Sequence, residues 1–240
     1  MDTSRTEILI GPENLLKIKK THAAVFGIGG VGGYVVEALV RAGIGELSIY
    51  DFDSVSPSNI NRQIFALQST MKEKKVEVAK KRIFDINPSI KLHHYDYHLK
   101  PDNIQEVIKD IFDYAVDAID EVDSKVTLLK YLKEQNIFTV SSMGAGSRIN
   151  PSSVKIADLS KTNYCPLAKV VRKKLREINI TSGITCVYSE ETPHKSLDTQ
   201  SSESYSANSG KRRVLGSISY MPAIFGLTAA GIIINNIIES

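Results

Sequence analysis

The run "HAAVFGIGGVGGYVVEALVRAGIGELSIYDFD", residues 22–53, leaves the chain few ways to fold. Its "AAVFGI" is continuously apolar, as a strand buried on both faces of a parallel sheet must be. Gly27-Ile28-Gly29-Gly30-Val31-Gly32 then fits G-x-G-x-x-G, and Val35, Val36, Leu39 and Val40 recur behind it at helical spacing. Gly43 and Gly45 end that helix, and "LSIY" is a second buried strand. Strand, glycine turn, helix and strand within about thirty residues make a βαβ unit. In such a unit Gly27 permits the tight turn, Gly29 lets the backbone approach a phosphate, and Gly32 allows close helix–strand packing. The helix N-terminus offers N–H groups and a positive dipole end to an anion. A purely structural glycine turn is the alternative. Asp51 ends the second strand, 24 positions after Gly27. That spacing suits a carboxylate on ribose hydroxyls, against the plainer reading of a strand-end acid facing solvent.

The rest of the chain extends this unit. The pattern predicts helices at 12–20, 71–86, 102–111, 123–134 and 166–177. Between them "IKLHHYDYHL", "FDYAVDAID", "IFTVSSM" and "ITCVYSEE" read as strands, and "SRINPSSVKIADL" as extended structure, a candidate hairpin. The expected fold is α/β: a doubly wound, Rossmann-like, mostly parallel sheet with a C-terminal extension of extra strands and helices. The 240 residues suffice for a single domain, 1–240, with a nucleotide-binding core to about 143 and the extension from about 144. Residues 192–213, rich in Ser, Thr, Asn and Lys, read as a mobile loop. Residues 218–238 are long and apolar enough to span a bilayer, but Pro222, Asn235 and Asn236 interrupt the run, and Gly226 and Gly231 suit close packing. A buried core helix is the expectation, with no membrane partner.

Composition sets limits. With 42% hydrophobic and 24% charged residues the chain reads as globular rather than disordered, and a net charge of +3 permits a polyanionic partner without demanding one. Two cysteines, Cys165 and Cys186, make no disulfide framework, and no C-x-x-C pair suggests a structural zinc. The N-terminus shows no signal peptide, so a cytoplasmic setting is expected.

The stretch "FDSVSPSNINRQIF", residues 52–65, is the unusual one. A dinucleotide dehydrogenase has little use for Asn59, Asn61, Arg62 and Gln63 just past the ribose, whereas a triphosphate does. Arg62 can fork onto phosphate oxygens, and Lys75 in the following helix adds a second cation. Asp120, read as the end of the fourth strand, lies where open α/β sheets bind ligands, and Mg2+ takes one or two such carboxylates. Together these predict an ATP site able to break the α–β phosphate bond. Asp53 serves either the site or the cap of the next turn.

"GIGGVGG", "DFDSVSPSNINRQI", "KKVEVAKKRIFDINP" and "DAIDEVDSK" together resemble the ubiquitin-activating-type adenylation superfamily that includes the ThiF and MoeB proteins. "SRTEILIG", "MGAGSRINPSSVKIADLSKT", "CVYSEE" and "GSISYMPAIFG" narrow the resemblance to the tRNA threonylcarbamoyladenosine dehydratase family, over nearly the whole chain from about residue 4. The resemblance implies an adenylate-forming enzyme. ATP would activate the carboxylate of N6-threonylcarbamoyladenosine in tRNA, and an attack within the same modification would expel AMP and close a ring with net loss of water. Carried over by residue, it puts Gly29 and its neighbours on the phosphates and Asp51 on the ribose. Asn59, Arg62 and Lys75 fall on the triphosphate charge, and Asp120 on Mg2+. It also makes Arg5 the N-terminal arginine that reaches a partner subunit's ATP site in a homodimer; its alternative is a solvated terminal charge.

Other groups are weaker. Relatives that pass on acyl groups use a nucleophilic cysteine, but Cys186 lies in an apolar strand where cysteine is usually a small buried residue. Cys165 is weaker still. His93, His94 and His98 cluster on an edge-like strand, where solvent-facing histidines are commoner than metal ligands. The basic helix 166–177 sets Leu167, Val170, Val171 and Leu175 on one face and turns Lys169, Arg172, Lys173 and Arg176 away from it, for tRNA phosphates or only for solvent. Lys211, Arg212 and Arg213 pose the same choice. A sulfur-relay protein is a further candidate partner. Two other readings stay open: adenylation of the C-terminus of a ubiquitin-like sulfur carrier, which the missing C-x-x-C pairs disfavour, and a non-catalytic nucleotide-binding module.

Overall fold

The computed structural model describes residues 1–195, 203–205, 211–213 and 215–240. The chain begins with two short helices, α1 (Ser4–Ile10) and α2 (Pro12–Lys20). The βαβ unit follows as β1 (His22–Phe26), α3 (Gly32–Ala42) and β2 (Glu46–Tyr50). Next come α4 (Lys75–Ile86), β3 (Lys91–Tyr95), α5 (Ile104–Val107), β4 (Tyr114–Asp117), α6 (Val122–Glu134) and β5 (Phe138–Ser142). Beyond these lie β6 (Val154–Asp158), α7 (Pro166–Glu177), β7 (Thr185–Ser189), β8 (Glu203–Tyr205), β9 (Lys211–Arg213) and α8 (Tyr220–Glu239).

Seven strands form one sheet in the order β3-β2-β1-β4-β5-β7-β6. All neighbours are parallel except β6, which runs antiparallel to β7. The extended segment around 154–158 is thus an edge strand on β7, not half of a local hairpin. β8 and β9 pair antiparallel in a separate ribbon; the rest of the expected loop at 192–213 lies mostly outside the described residues.

Alternation in β1 shows why helices cover both faces. Ala23 and Val25 point into a core shared with α2, α3, α4 and α8, while Ala24 and Phe26 join the opposite core with Ile104, Leu128 and Leu132. Every residue of β1 is buried. α7 packs on α6 and closes a third cluster with Leu129, Val171, Leu175 and Cys186.

The C-terminal apolar run is a core helix. Met221, Phe225, Ala229, Ile233 and Ile237, four residues apart, form its buried ridge, which packs on α3 and α2. Gly226 makes this possible: a Cβ there would lie 2.4 Å from the carbonyl oxygen of Val31.

Two predicted helices shrink. The one expected at 71–86 begins at Lys75, because Lys72 sits at φ 68°, outside the right-handed helical region. The one expected at 102–111 covers only Ile104–Val107. Ile108 leaves the helix (φ −85°, ψ 96°), and Asp110 then reaches the hydroxyls of Ser48 and Tyr95. α1 was not anticipated at all.

Candidate active site

The strand order reverses between β1 and β4, so a crevice opens outside their carboxyl ends. Gly27 leaves β1 with φ 81°. A Cβ on Gly32 would stand 1.8 Å from the carbonyl oxygen of Gly27, so the first turn of α3 presses directly on the strand end. Only glycine fits either position, and the N-terminus of α3 therefore meets the crevice without intervening side chains.

The Asp51 carboxylate pins this turn to β2. Its Oδ2 accepts from the Ile28 N–H at 2.8 Å and its Oδ1 from the Asp53 N–H at 2.8 Å. Burial pushes the Asp51 carboxyl above the usual range, and the nearby Lys75 ammonium and the two N–H donors only partly pull it back. Lys75, the first residue of α4, is itself buried; its Nζ stands 3.8 Å from Asp51 and donates to Asp53 Oδ2 at 2.6 Å. Asp53 is half exposed, so this cluster opens to the crevice.

The unusual polar block folds onto the glycine turn. Pro57–Asn59 form a 3-10 turn in which Asn59 Oδ1 accepts from the Ser56 N–H at 3.1 Å. Arg62 then lays its stem beside Gly30, where a Cβ would meet Arg62 Cγ at 3.4 Å. Its Nη1 donates to the Ser58 carbonyl and to Asn61 Oδ1, both at 2.8 Å. Gln63 Nε2 lies 3.7 Å from the Cβ position of Gly29. The start of α8 closes the same corner: Pro222 Cβ is 3.1 Å from the Cβ position of Gly30, and Asn61 Nδ2 donates to the Ser217 carbonyl at 3.0 Å. That last contribution had no signal in the sequence beyond the apolar helix itself.

Asp120 does not end β4. It is exposed in the turn leading to α6, three residues past the strand. The strand ends at Asp117, whose Oδ1 accepts from the Ile119 N–H at 3.1 Å and so turns the chain outward. Asp117 Oδ2 accepts from Lys125 Nζ at 2.5 Å and from Ser141 Oγ at 2.6 Å, and Lys125 donates again to the Ser142 carbonyl at 3.0 Å. Both ions are fully buried. Sequence reasoning missed this pair, although Asp117 and Lys125 lie in stretches it had singled out.

Arg5 lies exposed on α1, beside Ile8 and Leu9, which are 85% and 84% exposed. On α7, Lys169, Lys173 and Arg176 are exposed, but Arg172 is not a solvent-facing cation. Its Nη1 donates to the carbonyls of Leu159 and Thr162 and to Thr162 Oγ1, at 3.2, 2.8 and 2.7 Å. It staples the preceding turn. Val170 is exposed as well, and Ala168 takes its expected place in the core. Cys186 is sealed in β7, where burial pushes its thiol far above the range in which a thiolate forms at neutral pH; Cys165 is buried too. His94 pairs with Glu77, and His98 stacks on Phe52 and meets Glu121.

A tRNA threonylcarbamoyladenosine dehydratase of Bacillus subtilis (strain 168) is 40% identical over 190 residues, covering 79% of this chain and 75% of the relative. The protein of the same name from Escherichia coli (strain K12) is 37% identical over 193 residues, covering 78% and 72%. The crystal structure of the E. coli tRNA N6-threonylcarbamoyladenosine dehydratase in complex with ATP superposes with a TM-score of 0.86 at 32% identity, over 98% of this chain and 93% of that one. The ThiF family model matches residues 3–240, and the chain belongs to the ThiF family.

Proposed function

We propose that this chain is an ATP-dependent tRNA threonylcarbamoyladenosine dehydratase that closes a ring in N6-threonylcarbamoyladenosine through an acyl-adenylate. The carrying observation is the packing of Arg62 and Gln63 against Gly30 and Gly29, which sets a cation and an amide over a phosphate-binding turn. The named relatives supply the substrate class.

ATP enters as substrate, its phosphates on the turn 27–32 and the N-terminus of α3, its ribose on Asp51. A carboxylate oxygen of the threonylcarbamoyl group attacks the α-phosphorus, and pyrophosphate leaves. Arg62 and Asn59 stabilise the charge that develops there, and Lys75 contributes whichever of its three donors Asp53 does not hold. Asp120 is the carboxylate that would hold a Mg2+ accompanying ATP, and such an ion would offset charge on the leaving group. A nucleophile within the same modified nucleoside then attacks the acyl carbon, and AMP departs with the former carboxylate oxygen. The attack is intramolecular, so proximity replaces a nucleophilic enzyme thiol. The sealed Cys186 fits that economy.

The same reading makes the protein a cytoplasmic homodimer whose Arg5 completes the partner's site. The exposed Ile8 and Leu9 beside it support an interface there. Lys169, Lys173 and Arg176 on α7 are the cations left for tRNA phosphates; a sulfur-relay protein is a further partner.

Purified protein incubated with ATP, Mg2+ and tRNA bearing threonylcarbamoyladenosine is expected to yield a nucleoside lighter by one water. Mild neutral digestion and mass spectrometry would detect it. The loss should require ATP and vanish in Arg62→Ala. An unchanged nucleoside, together with pyrophosphate exchange stimulated by a Gly-Gly-ending carrier protein, would instead assign the chain to sulfur-carrier adenylation.

A further inference from the structure

The amino ends of the strands carry a second cluster, on the edge opposite the glycine turn. His22 opens β1 and sits in register with Glu46, which opens β2; His93 in β3 is level with Ser48. A strand of five residues separates this edge from the crevice by about 16 Å. Glu46 Oε1 lies 3.4 Å from His22 Nδ1 and 2.8 Å from His93 Nε2. All three ligand atoms fall within 4.8 Å of one another.

The surroundings fix which nitrogen of His22 faces Glu46 as a lone pair. Asp110 accepts from Tyr95 at 2.8 and 2.9 Å and from Ser48 Oγ at 2.6 Å. Burial pushes its carboxyl up, but these hydroxyls and the nearby histidines hold it below the usual range, so it accepts only. The single Ser48 proton therefore points at Asp110, and Ser48 Oγ must accept from His22 Nε2, 2.8 Å away. With Nε2 donating to Ser48, Nδ1 is the ring nitrogen left to face Glu46 and to offer a lone pair to a cation there. A ligating histidine whose other N–H is held by an outer-shell acceptor is the usual arrangement at metal sites.

We propose that His22 Nδ1, Glu46 Oε1 and His93 Nε2 bind a zinc-class divalent cation that clips β1, β2 and β3 together, with water in the fourth position. Ligand atoms of a tetrahedral zinc stand about 3.3 Å apart, as His22 and Glu46 already do; the His93–Glu46 pair has to open by about 0.5 Å, and His22 and His93 stand within 4.8 Å of each other. Two imidazoles and a carboxylate favour zinc, copper or nickel over magnesium or calcium, so this ion is distinct from the one serving ATP. Lys91 is its rival: its ammonium lies 2.8 Å from the same Glu46 oxygen, on a side chain that is 67% exposed and can swing away.

The test is a titration of the untagged, chelator-treated full chain with Co2+, and then displacement by Zn2+. Wild-type protein is expected to show visible d–d absorption that saturates at one equivalent. His93→Ala, at the sheet edge where folding tolerates it, should abolish the saturating band while leaving ATP–pyrophosphate exchange intact. Ser48→Ala should weaken binding on the order of 10–100-fold, the usual effect of losing an outer-shell partner. Lys91→Ala should tighten it. Absence of a band saturating at one equivalent in wild type, or the same band in His93→Ala, overturns the proposal.

Discussion

Two aspartate–lysine pairs lie at the carboxyl ends of the strands that flank β1, and they are held in opposite ways. Asp117 and Lys125, beside β4, are fully buried, and the protein itself supplies their partners: Ser141, the Ser142 carbonyl and the Ile119 N–H. Asp53 and Lys75, beyond β2, meet at 2.6 Å with the lysine buried and the carboxylate half in solvent. The sealed pair has no capacity left for a ligand; it ties β4, α6 and β5 together. The open pair keeps donors to spare at the mouth of the crevice. The same two residue types thus serve architecture on one side of β1 and, in the function proposed above, chemistry on the other, and exposure of the carboxylate separates the two settings.

The largest effect should come from breaking the sealed pair. Lys125→Ala leaves Asp117 as an uncompensated buried charge and is expected to cost about 3–5 kcal/mol in urea denaturation. Lys75→Ala should cost less, because Asp53 can turn to water and the buried Asp51 keeps the Ile28 and Asp53 N–H donors when it loses the cation. Equal losses for the two variants would mean that the crevice pair is as structural as the sealed one.

Next in size is Arg62→Ala. Its stem lies at Gly30 and its guanidinium holds only surface acceptors, so the urea midpoint should stay put while ATP–pyrophosphate exchange falls about 10²–10³-fold. A shifted midpoint with retained exchange would make Arg62 a loop staple, like Arg172. Asp53→Asn should follow at roughly tenfold in exchange, about 1.4 kcal/mol. It removes the charge that pairs with Lys75 but leaves an acceptor oxygen and the cation in place.

These contrasts also show what could be read before the fold was known. The glycine turn, Asp51 and the N-x-N-R-Q block were legible because each needs particular residue types at fixed local spacing. The βα alternation was legible because burial on two faces writes itself into apolar runs. Asp117 and Lys125 were not, since a buried ion pair looks in sequence like any Asp and Lys on an amphipathic stretch. Arg172 was misread for a related reason: helical spacing gives the face, but not the two carbonyls and the hydroxyl that the neighbouring turn places within reach. The approach of Ser217 and Pro222 to the site is a contact across more than 150 positions, and no local pattern encodes it.

The smallest expected effect bears on Asp51, which stands between the two pairs in character: buried, yet beside the open one. Burial raises its folded-state pKa above the unfolded value near 3.9, so ionisation favours the unfolded chain. Wild-type protein should therefore lose stability relative to Asp51→Asn as pH rises from that value through the raised native one. Above this window the difference should be flat. Carboxylates held low act the other way: Glu37 is pushed up by burial but held below its usual range by Arg82 and Arg41, so it stabilises above its unfolded pKa and loses that contribution as pH falls. Because Glu37 is common to both proteins, subtracting the two urea-denaturation profiles cancels it. The Asn amide cannot accept both the Ile28 and Asp53 N–H bonds as the carboxylate does, but that cost is an offset independent of pH. A difference that grows in favour of wild type with rising pH would mean that the Lys75 charge outweighs burial. Asp51 would then resemble the sealed pair, a buried carboxylate held ionised chiefly by its lysine.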